Sequence, residues 1–344
     1  MRYKLFGRTG LRVSELCLGT ATFGTDWGWG AEEAESRRVF DGYVEAGGNF
    51  LDTADVYQLG TSERLLGQFI KDDRARFVVA TKYTVPTRSD VSFSGNSRKH
   101  MTQAIEASLK RLQTDYVDLY WVHMRDGITP VDEIMRGLDD LVRAGKVLYI
   151  GFSDFPAWTV AQATTMADLR GWAPLASIQI EYSLVERTPE RELLPMAREF
   201  DLAVLAWSPL GGGILTGKYA DGDVQGRKTQ GGGPIRDQGA HERPIVAAVQ
   251  RVATELHTTP SRVALAWVRQ RPGVVIPILG ARTLPQLQDN LGVLDLQLGE
   301  EHLRQLDTIS AVPLGFPHEL LQSERGRNTL AGGDASLIDN HRAR

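Results

Sequence analysis

The chain has 344 residues, 42% of them hydrophobic, and a formal charge of only -4. That is ample material for a sizeable core, while the weak charge and the lack of a dense basic run argue against nucleic-acid or membrane-surface binding. The single cysteine, Cys17, excludes an internal disulfide and fits a reducing compartment, and within Leu16-Cys17-Leu18 it reads as a buried structural thiol.

In chain order, Met1 to Gly7 lacks the long apolar core of a signal peptide. No stretch approaches the roughly 20 apolar residues of a membrane helix, so the expected location is the cytoplasm. Residues 3 to 15 alternate around Gly7-Arg8-Thr9-Gly10, which predicts an N-terminal β-hairpin. Short apolar runs then predict strands near 16–19, 49–52, 77–82, 116–121, 147–152, 177–180, 202–206 and 274–277. Between them, helices are predicted to begin near Ala31, Ser62, Ser97, Pro130, Pro156, Pro189, Arg243 and Leu284. Thr129-Pro130 is a typical helix opening and Ala144-Gly145 a typical close.

Strands alternating with helices imply a parallel sheet, either open and doubly wound or closed as a (β/α)8 TIM barrel. Eight nearly regular units favour the α/β barrel, and no G-x-G-x-x-G follows an early strand as a Rossmann domain would require. No linker divides the chain, so residues 1–344 read as a single domain. Three segments break the period. Thr84 to Ser97 is a long polar loop, and 210–243 is a glycine-rich stretch expected to be a mobile cofactor loop. The third is the tail, where Gly315-Phe316-Pro317-His318 is expected to reach the pocket and 330–344 to be flexible.

Three strand ends carry chemistry. Asp52 ends the run at 49–52 with Tyr57 just beyond, Lys82 ends 77–82, and His123 follows 116–121. Singly, each has a bland reading as a cap, a solvated lysine or a core histidine. Together they would converge on one face of a parallel barrel. An ammonium beside a phenol favours the phenolate, and a carboxylate keeps that lysine charged and placed. Asp52, Lys82 and Tyr57 thus make a relay for moving a proton at an oxygen, with His123 as a second donor to it. Such a set suits carbonyl-to-alcohol chemistry. Side chains cannot donate hydride, so a nicotinamide or flavin is implied.

These residues resemble the aldo-keto reductases. The likeness rests on Asp52-Thr53-Ala54-Asp55-Val56-Tyr57, Thr81-Lys82, Val122-His123 and Gly145 to Asp154. Gln179-Ile180-Glu181-Tyr182-Ser183, Ala206-Trp207-Ser208-Pro209-Leu210 and Gly280-Ala281-Arg282-Thr283 complete it, from Tyr3 to Pro317 in order. Ser153 to Trp158 and Gly315 to His318 resemble the aryl-alcohol-dehydrogenase-like bacterial and fungal branch.

The resemblance implies NADP(H) bound without a Rossmann domain, with Tyr57 as proton donor, Lys82 and Asp52 tuning it, and His123 orienting the carbonyl. Ser153, Asp154 and Gln179 match positions that hold the nicotinamide carboxamide, and Trp207 the aromatic on which the ring stacks. Ser208, Leu210, Gly212 and Lys218 would follow the pyrophosphate. Gly280, Arg282, Gln286, Asp289 and Asn290 would hold the adenosine end, with Arg282 on the 2′-phosphate. Asp154 stands where many relatives have asparagine, and Gln286 where the better-studied branch has arginine.

Trp27, Trp29, Tyr83 and Trp121, with Phe93, are expected to wall a pocket for aryl or apolar aldehydes and ketones. Two competing readings differ in class. One is a nicotinamide-binding regulatory subunit with little turnover. The other is a hydrolase or aldolase using Lys82 as a Schiff base, which Asp52 opposes by holding the lysine protonated. No His-x-x-x-His or paired-cysteine spacing suggests a metal. The expected partner is a small carbonyl or alcohol, with an oligomer compatible with the sequence.

Overall fold

The computed structural model describes residues 1–217 and 239–339. Two short strands, β1 (Tyr3–Leu5) and β2 (Arg12–Ser14), pair antiparallel as the predicted hairpin. Its turn presses on the bottom of the barrel, where Arg8 donates its backbone N–H to the Asp201 carbonyl at 2.9 Å. Gly7 turns there at φ 57°, and a Cβ would meet the Asp201 and Ala176 carbonyls at 2.6 and 2.7 Å. Only glycine fits that corner.

Eight parallel strands close the barrel. They are β3 (Cys17–Gly19), β4 (Phe50–Asp52), β5 (Val78–Tyr83), β6 (Val117–Val122), β7 (Val147–Ser153), β8 (Leu175–Glu181), β9 (Ala203–Trp207) and β10 (Val275–Gly280). β10 pairs with both β9 and β3, which completes the ring. All eight match runs expected from the sequence. β5 and β6 are buried along their whole length, as strands covered on both faces must be.

The helices are α1 (Glu33–Glu45), α2 (Thr61–Ile70), α3 (Arg98–Leu112), α4 (Val131–Arg143), α5 (Ala157–Arg170), α6 (Leu193–Glu199), α7 (Glu242–Glu255), α8 (Pro260–Arg269), α9 (Leu284–Leu291) and α10 (Glu300–Ile309). Side-chain caps fix several starts, among them Ser97 on His100 N–H and Thr283 on Gln286 N–H. Among the described residues, the connection from β9 to β10 carries two α-helices, where the sequence reading placed one near Arg243. Short helices α11 (His318–Gln322) and α12 (Glu324–Leu330) follow in the tail. Among the described residues no helix is long and apolar enough to cross a membrane.

Two apolar clusters result. One fills the barrel, where Phe6 meets Phe50 edge-on at 5.5 Å and Leu119, Trp121, Leu205 and Ile276 stack above. The other lies between the strands' outer faces and the helices. The parity of each strand decides which cluster, or which site, a side chain joins.

Candidate active site

Asp52 and Lys82 sit at neighbouring strand ends, and both point into the barrel mouth. The Lys82 ammonium donates to Asp52 Oδ2 at 2.5 Å, to the Thr53 carbonyl at 2.8 Å and to the Tyr57 phenol oxygen at 3.1 Å. Gln179 closes the chain by donating Nε2 to Asp52 Oδ1 at 2.9 Å. Lys82 is fully buried and Asp52 nearly so. Burial alone would lower the lysine's pKa, but Asp52 and then Tyr57 outweigh it and hold the group above its ordinary value. The ammonium therefore stays charged.

His123 faces Tyr57 edge-on, with ring centroids 5.9 Å apart. Part of its ring reaches the cavity while Nδ1 is shut off with no hydrogen-bond partner among the described residues. Burial first, and Lys82 second, push its pKa down to about 3, so the imidazole is neutral at neutral pH. Asp55, in the same motif as Asp52, faces away from the cavity. Its backbone N–H donates to the Lys82 carbonyl at 3.2 Å, and burial, with Glu63 nearby, pushes its carboxyl well above the ordinary range.

A cavity of about 680 Å³ opens over these groups. Asp52, Tyr57 and His123 line one end, with Trp29 as wall. Ser153, Asp154, Gln179 and Trp207 line its middle, and the turn Ser208–Gly213 continues it. Gly280, Arg282, Gln286, Asp289 and Asn290, running from the end of β10 into α9, line the cavity as well. Asp154 lies in the left-handed region at φ 52°, which aspartate tolerates, and its Oδ1 accepts the Trp207 indole N–H at 3.1 Å. Open to the cavity but surrounded by protein on most sides, its pKa rises to about 6. Burial is the main cause, moderated by the indole hydrogen bond. Gln286 Oε1 accepts the backbone N–H of Arg282 at 2.9 Å, which pins that residue at the rim. Asp289 is tied to Arg262 Nε at 3.1 Å and to the Thr259 hydroxyl.

Three expected wall residues lie elsewhere. Tyr83 directly follows Lys82, so strand parity turns it outward, where it stacks on Tyr120 at 5.2 Å and is fully buried. Trp121 does point inward, but it packs beside Gly151 and Ser177 within the barrel and does not line the cavity. Phe93 lies under the Arg88 guanidinium and does not line the cavity. Nor do residues 315–318: His318 reaches Glu192 at 3.0 Å, and Arg191 holds the Pro313 carbonyl. Trp27 stands behind the wall, 5.4 Å from Trp29 and edge-on to Tyr57 at 6.0 Å. Lys218 and most of the 210–243 loop lie outside the described residues, as do 340–344 of the tail.

Sequence reasoning also passed over residues that hold the site. Gln58, fully buried beside Tyr57, is one. The buried Glu63 is another: it accepts the hydroxyl of Thr81, the residue before Lys82, and the Arg111 Nε–H, each at 2.5 Å. The pattern was visible only as a polar position on α2, since nothing in its spacing marks it as buried.

A phenol hydrogen-bonded to a buried ammonium can exchange a proton with an oxygen in the cavity. The cavity, at about 680 Å³, is within the size range of small-molecule and cofactor sites. A family model described as the aldo/keto reductase family matches residues 15–311. A norsolorinic acid reductase of Aspergillus flavus is 36% identical over 328 residues, covering 92% of this chain and 83% of that protein. The oxidoreductase YrpG of Bacillus subtilis is 38% identical over 327 residues, 92% of this chain and 98% of its own. An aryl-alcohol dehydrogenase [NADP(+)] of Phanerodontia chrysosporium is 34% identical over 334 residues, 90% of this chain and 86% of that one.

Proposed function

The chain belongs to the aldo/keto reductase family, and on that footing we propose that it reduces aryl or apolar aldehydes and ketones to alcohols with NADPH. The observation that carries this reading is the buried chain Gln179–Asp52–Lys82–Tyr57, which ends with a phenol at the cavity opposite a neutral His123. In this reading Tyr57 gives its proton to the carbonyl oxygen, and the Lys82 ammonium favours the phenolate that remains. His123, neutral and with Nδ1 shut away, offers Nε2 to the same oxygen.

The residues present fit a nicotinamide dinucleotide. Asp154 offers a carboxylate to a carboxamide N–H, and Gln179, its Nε2 committed to Asp52, keeps Oε1 as an acceptor. Trp207, its indole anchored on Asp154, would hold the flat nicotinamide ring. Ser208, Leu210 and Gly212 line a turn in which the Ser208 hydroxyl accepts the Gly212 N–H at 2.9 Å, and no described atom lies within 4 Å of where a Cβ of Gly212 would be, which leaves room for a pyrophosphate. Ser153 lies beneath, and Gly280, Arg282, Gln286, Asp289 and Asn290 would hold the adenosine end. When bound, the cofactor supplies the hydride that side chains cannot. The names of the relatives and the tryptophans beside Tyr57 support an aryl substrate.

The test is turnover of an aryl-aldehyde panel with NADPH and NADH in parallel, for wild type and Arg282→Ala. Arg282→Ala should raise the KM for NADPH about tenfold or more, as expected for losing a charge-assisted contact to phosphate, and leave NADH nearly as before. Equal effects on both would remove Arg282 from the 2′-phosphate. NADPH binding without turnover on any aldehyde would favour a regulatory subunit instead.

A further inference from the structure

Tyr57 is followed by two residues in the left-handed region, Gln58 at φ 48°, ψ 43° and Leu59 at φ 52°, ψ 33°. Non-glycine residues hold such a conformation in succession only where their surroundings fix it. Gln58 supplies that fixation. It is fully buried, and both ends of its amide are used. Oε1 accepts the Trp27 backbone N–H at 2.9 Å, while Nε2 donates to the Ala21 carbonyl at 3.0 Å and the Trp29 carbonyl at 3.1 Å. Its Cβ and Cγ pass so close under Gly24 that a Cβ there would meet them at 3.1 and 3.3 Å.

One side chain thus fastens the segment 21–29 at three points to the turn that carries the phenol. That segment delivers Trp29 to the cavity wall and Trp27 to the edge of Tyr57. The bonding is specific to glutamine, which alone offers one acceptor and two donor hydrogens at this reach. Glutamate would set a carboxylate against two carbonyl oxygens, and methionine would fill the space without a single bond.

We propose that Gln58 is a positioning residue: it sets the tryptophan wall relative to Tyr57 and thereby favours flat aryl carbonyls over small aliphatic ones. The substrate part rests on the reductase reading above, whereas the tether does not.

Two measurements on wild type, Gln58→Met and Gln58→Glu test it. The first is hydrogen exchange of the 21–30 peptide, which should be slow in wild type. In both variants it should speed up about tenfold or more, while peptides from β4 and β5 keep their rates. The second is kcat/KM for an aryl aldehyde divided by that for a short aliphatic one. It should fall about five- to tenfold, the size of one aromatic contact, chiefly through KM for the aryl substrate. Fast exchange of 21–30 in wild type overturns the tether without recourse to any variant. Unchanged exchange in the variants does the same, and an unchanged substrate ratio overturns the role in preference. If wild type reduces no aldehyde, the reductase reading and the preference fall together, and exchange still decides the tether.

Discussion

Tyr57→Phe is expected to cut kcat for carbonyl reduction by about 10²–10⁴, the usual worth of a placed general acid. The substitution is mild in every other respect. The ring keeps its edge contacts with Trp27 and His123. Lys82 keeps Asp52 and the Thr53 carbonyl, so no charge is left unpaired. NADPH affinity should stay as in wild type and the melting temperature within about 2 °C. Titration of cofactor binding, a melt and steady-state rates separate these quantities. A kcat within about tenfold of wild type would take the proton-donor role from Tyr57.

Lys82→Met should be the most damaging single change to the fold near the site. It leaves the Asp52 carboxylate, buried at a strand end, with Gln179 as its remaining side-chain donor among the described residues. Breaking a buried ion pair by removing one partner costs about 3–5 kcal/mol. The double variant Asp52→Asn/Lys82→Met removes the stranded charge and should lose less stability than the single, yet recover no activity. Urea unfolding of the two side by side reads this, and a single-variant cost under about 1 kcal/mol would contradict it. The sign with pH also follows. Because Lys82 is held above its ordinary value, its contribution is complete below the unfolded lysine's pKa of about 10.5. It is lost as pH rises from there through the higher folded value.

What the sequence disclosed was governed by rules that act locally or by symmetry. The barrel strands were legible because each is a short apolar run between caps, and parallel strands put their ends on one face. Asp52, Lys82 and His123 therefore came together on the page as they do in space. Parity separates the failures. Tyr83 is one residue off Lys82 and so faces the helices. Trp121 has the right parity, but its ring lies in the space that Gly151 leaves on the next strand, which its own strand does not encode. Helix α8 escaped notice because Val263 to Val268 is a short unbroken apolar run, buried throughout, which can be read as a strand or as a helix. Gln58 was invisible for a different reason. Its left-handed turn and its three partners, some 30 residues away, exist only once the loop is folded.

The most direct test of the central claim is a single-turnover reduction of an aryl aldehyde with NADPH deuterated at its transferable hydride. The reading predicts that the alcohol forms with the label on its carbinol carbon in wild type and that Tyr57→Phe binds the same cofactor but forms almost none. An alcohol without the label, or no alcohol despite tight NADPH binding, would contradict it.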